Sequence, residues 1–107
     1  MVLEEVLGYL EKRGFKCTAS ENQVDCNRDD GFGFKIYVKE GVLELSTKGV
    51  EDRLREFAKD LNKKELEELV SEYQGMLADI KVLAIRKSIV VKDSVLGFLE
   101  EMLEEAE

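Results

Sequence analysis

Hydrophobic positions recur at helical spacing at the start of the chain. Leu3, Val6, Leu7 and Leu10 share one face of residues Val2 to Arg13, with Glu4, Glu5, Glu11 and Lys12 mostly opposite. Gly14 follows as a C-terminal cap, so the pattern predicts an opening helix. From Phe15 the period becomes two and holds for about thirty residues broken by turn signals, the mark of an antiparallel meander. A turn centred on Glu21-Asn22 sets Ala19 opposite Val24 and Cys17 opposite Cys26. A three-residue loop, Asp29-Asp30-Gly31, with its glycine at positive φ, sets Cys26 opposite Phe34 and Val24 opposite Ile36. A two-residue turn at Glu40-Gly41 pairs Val38 with Leu43, Tyr37 with Glu44 and Ile36 with Leu45. These turns agree on one buried face made of Phe15, Cys17, Ala19, Val24, Cys26, Phe34, Ile36, Val38, Leu43 and Leu45.

Helical spacing returns after Gly49, with Val50, Leu54, Phe57, Ala58 and Leu61 in one stripe. Asn62 followed by Glu65 reads as a capping box opening a second stripe of Leu66, Leu69, Val70 and Tyr73, so two helices or one kinked helix fit equally. The segment from Met76 to Lys92 carries both signals. Met76, Leu77, Ile80, Leu83 and Ala84 extend the helical stripe, while Val82, Ile85, Ile89, Val90 and Val91 favour strand. We read a strand from about Ile80, broken near Lys87-Ser88, with Gly75 ending the preceding helix. Asp93 or Ser94 then caps a final helix with Val95, Phe98, Leu99 and Met102 inward.

With 107 residues, no proline and no linker-like stretch, residues 1–107 form a single α+β domain. The expected architecture is a four-stranded antiparallel meander with an N-terminal helix, one or two middle helices, an added strand or hairpin, and a C-terminal helix. No apolar run reaches a membrane span, so no membrane is expected as partner. The chain starts with Glu4 and Glu5 inside an amphipathic pattern, where a signal peptide needs a basic start and an uncharged stretch, so the expected location is the cytoplasm.

The formal net charge of -8 repels phosphate backbones, and no nucleic-acid partner is expected. The absence of histidine removes Ser-His-Asp and Cys-His catalysis and imidazole zinc sites. No catalytic, cofactor-binding or metal-ligating residue is therefore nominated, and no cofactor is expected. Abundant Glu and Lys beside scarce Asn and Gln is a bias shared with proteins of hot environments. The charge is uneven: Lys81, Arg86, Lys87 and Lys92 make the Ile80 to Lys92 segment basic, while Asp93, Glu100, Glu101, Glu104, Glu105 and Glu107 make the tail acidic.

Cys17 and Cys26 face each other in the hairpin register; two packed thiols filling the core are expected first, with a cross-strand disulfide as the alternative that the spacing allows. Asp25 to Gly31 resembles the start of a calcium loop, but its glycine is one place late and Ile36 stands where a bidentate glutamate belongs, so a hairpin turn is expected there. Lys35, Tyr37 and Lys39 form the most basic and aromatic part of the outer sheet face. One tyrosine is not a stacking platform for nucleic acid, and a solvated or partner-covered face is expected. Glu100, Glu101, Glu104 and Glu105 form a candidate docking strip for a basic protein, with a solvated helix face as the plainer reading.

The element order resembles the small α+β fold of type III secretion chaperones and the related YbjN-like proteins, although that family has a three-plus-two arrangement of strands. The resemblance implies a homodimer that binds extended segments of a partner protein and assigns no individual residue. Taken together, these features lead us to expect a small acidic protein-interaction domain that forms a homodimer and binds another protein. The alternative is a small-ligand-binding protein or enzyme using carboxylate, Lys or Tyr groups.

Overall fold

The computed structural model describes residues 2–106; Met1 and Glu107, the latter counted above in the acidic tail, lie outside them. The chain runs α1 (Val2–Lys12), β1 (Phe15–Ser20), β2 (Gln23–Arg28), β3 (Gly33–Lys39), β4 (Val42–Ser46), α2 (Glu51–Lys59), α3 (Lys63–Ile85), β5 (Val90–Asp93) and α4 (Val95–Glu105). The strands form one sheet in the order β1-β2-β3-β4-β5. The first four are the antiparallel meander, and β5 lies parallel to β4, with Val42 beside Val90 and Leu45 beside Asp93. The architecture is α+β, with a fifth strand completing the sheet.

The hairpin registers are those set by the three turns: Cys17 opposite Cys26, Val24 opposite Ile36, and Ile36 opposite Leu45. In the loop between β2 and β3, Gly31 has φ +104°, which a side chain rarely adopts. Gly33 meets a different constraint. A Cβ there would sit 2.3 Å from Asn27 Oδ1 and 2.8 Å from the Cys26 carbonyl oxygen, so only glycine fits this ladder position. Of the expected inner face, Phe15, Val24, Cys26, Phe34, Ile36, Leu43 and Leu45 are buried, and Cys17 and Val38 are half-buried. Ala19 is exposed, because it lies near the free end of the edge strand β1.

Asn62 divides the middle region into two helices. Its side chain accepts from the Glu65 N–H at 2.8 Å while Glu65 Oε1 accepts from the Asn62 N–H at 3.0 Å, a complete capping box. The expectation that Gly75 ends the helix and a strand starts near Ile80 is wrong. The helix passes through Gly75 to Ile85, and the strand is confined to Val90–Asp93. Glycine in mid-helix costs about 1 kcal/mol, but Met76, Leu77, Ile80 and Ala84 beyond it all bury on the same face, and their burial exceeds that cost severalfold. The same burial overrides the strand preference of Val82 and Ile85.

The helices pack around one core: α1 lies against β1, α3 contacts α1, β5 and α4, and α2 joins through Leu54 and the Phe57 ring beside Phe32. Under them lies an aromatic cluster in which Phe15, Phe32, Phe34 and Tyr73 meet edge-on or tilted at 5.3 to 6.1 Å between ring centres. Phe32 was not assigned to the core from the sequence, yet it extends the alternation Phe32, Phe34, Ile36 and is 1% exposed. The outer sheet face carries Lys16, Thr18, Asp25, Lys35, Tyr37, Glu44 and Lys92, all exposed or half-exposed, while Ser46 opposite Lys35 is buried. No helix is long and apolar enough to cross a membrane among the described residues.

Candidate protein-binding surfaces

The most structured polar feature grows from Arg28 at the end of β2. Its side chain is 15% exposed and its guanidinium lies 5.3 Å from the ring centres of both Phe15 and Phe32. From there Nε and Nη2 donate to the Asp30 carboxylate at 2.9 to 3.1 Å, and Nη1 donates to Glu72 on α3 at 2.9 Å. One cation thus pins the β2–β3 loop to α3. Burial works to raise the Asp30 pKa, but the hydrogen bonds from Arg28 and the Phe32 N–H outweigh it and hold the carboxyl below its usual range. For Arg28, burial opposes the charge and the two carboxylates outweigh it, so its pKa rises.

Beside this junction opens a cleft of about 410 Å³ between the β2–β3 loop, α2 and α3. Phe57, Leu61 and Leu69 supply apolar surface; Asp30, Asp60, Glu65, Glu68 and Glu72 ring it, with Arg28 as the one cation among the described residues that line it. Five carboxylates against one guanidinium leave an excess of negative charge over an apolar floor. That combination suits the side chain of a lysine or arginine, whose aliphatic stem packs on the floor while its head meets the rim. None of these residues was nominated from the sequence. The signal on α3 was legible, because Glu65, Glu68 and Glu72 lie along one flank at helical spacing. The contribution of Arg28 and Asp30 depended on how the loop docks.

The residues singled out from the sequence fall in three separate places. Cys17 and Cys26 join β1 to β2 through a disulfide, with Cα atoms 4.1 Å apart. Glu100, Glu101, Glu104 and Glu105 are exposed on α4. Arg55 on α2 comes within 3.7 Å of Glu105 and lies over the Phe98 ring, so the strip is partly neutralised. A hollow of about 360 Å³ shares Leu61 with the acidic cleft and Glu105 with the strip, and brings Arg55, Lys59 and Lys63 between them. Lys35, Tyr37 and Lys39 alternate along the outer face of β3, across the sheet from α4, with Tyr37 opposite Glu44. The strip and the β3 residues therefore do not form one site.

Two further polar pairs hold elements together. The Tyr73 hydroxyl, fully buried, donates to Asp93 Oδ1 at 2.5 Å, and Asp93 Oδ2 accepts the Leu96 N–H at 2.9 Å, so Asp93 caps α4 and anchors it to α3. Burial first, and then the Asp93 carboxylate, push the Tyr73 pKa well above its ordinary value. At the surface, the Tyr9 hydroxyl donates to Asp79 at 2.5 Å, and Arg13 lies 4.6 Å over the Tyr9 ring. Among the described residues, no group of His, Cys, Asp and Glu is arranged to hold a metal ion. Comparison with protein-family models, curated proteins and solved structures gave no match, so the surfaces themselves carry the functional reading.

Proposed function

We propose that this chain is a small protein-interaction domain that self-associates and receives a basic segment of another protein. The observation that carries the reading is the acidic cleft: an apolar floor of Phe57, Leu61 and Leu69 under a rim of carboxylates. A basic amphipathic segment matches it in both respects, and a phosphate backbone is repelled by it. The Glu100 to Glu105 strip extends the negative field on α4 and serves to steer a basic partner, since exposed charges act over about 8 Å at physiological ionic strength.

The test is fluorescence polarisation with a labelled peptide alternating lysine and leucine. It compares the wild type with Asp60→Lys/Glu65→Lys and with Glu100→Lys/Glu104→Lys, which change the net charge equally. The cleft variant is expected to weaken binding at least about tenfold and the strip variant by much less. Equal weakening by both would mean that the peptide senses only net charge, and the cleft reading would be abandoned.

A further inference from the structure

We propose that two copies of this chain pair through the solvent face of α3, antiparallel, about a twofold axis near Gly75 and Ala78. The inference rests on the reading of the chain as a self-associating domain and assigns the surface. The inward stripe of α3 is Leu66, Leu69, Val70, Tyr73, Met76, Leu77, Ile80 and Ala84. On the opposite side Ser71, Gly75, Ala78, Val82 and Ile85 follow one another at intervals of four, three, four and three residues, and all are exposed. That spacing is the heptad seam of a helix pair. A helix with only one partner face carries charge on this side; here the C-terminal half of the seam is apolar, with Val82 49% and Ile85 72% exposed. They are two of the three large hydrophobic residues exposed among the described residues.

Charge selects the direction and the occupant. The seam is flanked by Glu67 and Glu68, with Lys64 beside them, toward the N-terminal end and by Lys81, Arg86 and Lys87 toward the C-terminal end, so the first end is weakly acidic and the second strongly basic. Parallel pairing would set Lys81, Arg86 and Lys87 of the two copies side by side. Antiparallel pairing sets the basic end of each copy against the acidic end of the other, twice over by symmetry. A register with Gly75 opposite Ala78 places Val82 opposite Ser71 and Ile85 opposite Glu68. Ser71, Gly75 and Met76 line one side of a hollow of about 230 Å³ beside α1, whose other side is the polar set Tyr9, Arg13, Glu72 and Asp79. The small residues at the centre let the two helix backbones approach closely.

Sedimentation equilibrium of the full chain from about 1 to about 100 μM tests this. The wild type is expected at twice the 12.2 kDa chain mass toward the upper end of the range. Val82→Asp changes an exposed side chain and leaves the far-UV circular dichroism unaltered; it is expected to raise the dissociation constant at least about tenfold. Arg86→Glu/Lys87→Glu is expected to weaken the dimer, and adding Glu67→Lys/Glu68→Lys to restore it, because the swap rebuilds the pairing with its signs reversed. A wild type at the single-chain mass throughout would remove self-association altogether. A dimer unaffected by Val82→Asp, or a charge swap that restores nothing, would leave self-association standing and overturn the α3 face. The peptide measurement on the acidic cleft is independent of all these outcomes.

Discussion

Tyr73 shows what one side chain contributes at the residue scale. It completes the aromatic cluster, and its hydroxyl holds Asp93, which in turn caps α4. Tyr73→Phe is expected to lower stability by about 1 to 2 kcal/mol in urea unfolding, since the Asp93 oxygen loses its buried donor. It also changes the response to alkali. The folded-state pKa of Tyr73 lies above that of the unfolded chain, so above about pH 10 the unfolded chain releases a proton that the native state keeps. Stability then falls by about 1.4 kcal/mol per pH unit, and the variant lacks this component. Asp30 behaves in the opposite sense. Its lowered pKa contributes stability that is present at neutral pH and is lost as the pH falls through the folded-state value. Because its side chain is 49% exposed, Asp30→Asn is expected to cost at most about 1 kcal/mol at pH 7 and nothing once both states are protonated. Gly33→Ala should be costlier, about 2 kcal/mol or more, because the new methyl group meets the Cys26 carbonyl.

Elements differed in how plainly their residues announced them. The hairpins were legible because three turns, each chosen from local chemistry, put the same apolar residues on one side; a slip of one residue in any of them would have exposed the whole face. The capping box at Asn62 was equally local, and Asn62→Ala is expected to cost about 1 kcal/mol by thermal or chemical denaturation. Gly75 speaks for a helix end and the β-branched Ile80, Val82 and Ile85 for a strand, yet α3 runs on to Ile85. What decided the matter was a core to which Met76, Leu77, Ile80 and Ala84 could all turn at once, a property of the packed molecule. Gly97 in α4 has open space where a Cβ would sit, so Gly97→Ala is expected to stabilise the protein by up to about 1 kcal/mol.

At the scale of the whole molecule, folding concentrates charge that is spread along the chain. Arg28 and Asp30 come from one hairpin, Asp60 from the end of α2, and Glu65 and Glu72 from one flank of α3; they meet only because the β2–β3 loop docks on α3. The Glu100 to Glu105 run was legible as a charge run, but the approach of Arg55 to Glu105 was not, since it depends on how α2 and α4 lie together. The disulfide ties the edge strand into the sheet. Closing a loop with a sequence separation of 9 is expected to contribute about 2.5 kcal/mol, read as the loss of stability on reduction. Free-thiol counting on the denatured protein checks the bridge itself: none are expected before reduction, and two would leave Cys17 and Cys26 as packed thiols. The central claim is that the acidic cleft receives a basic segment, and the most direct measurement is a two-dimensional amide NMR titration with the lysine-leucine peptide. Saturable shifts clustered at Asp30, Phe57, Leu61, Glu65 and Leu69 are predicted. Shifts confined to Glu100 through Glu105, or spread evenly over every acidic residue without saturation, would contradict it.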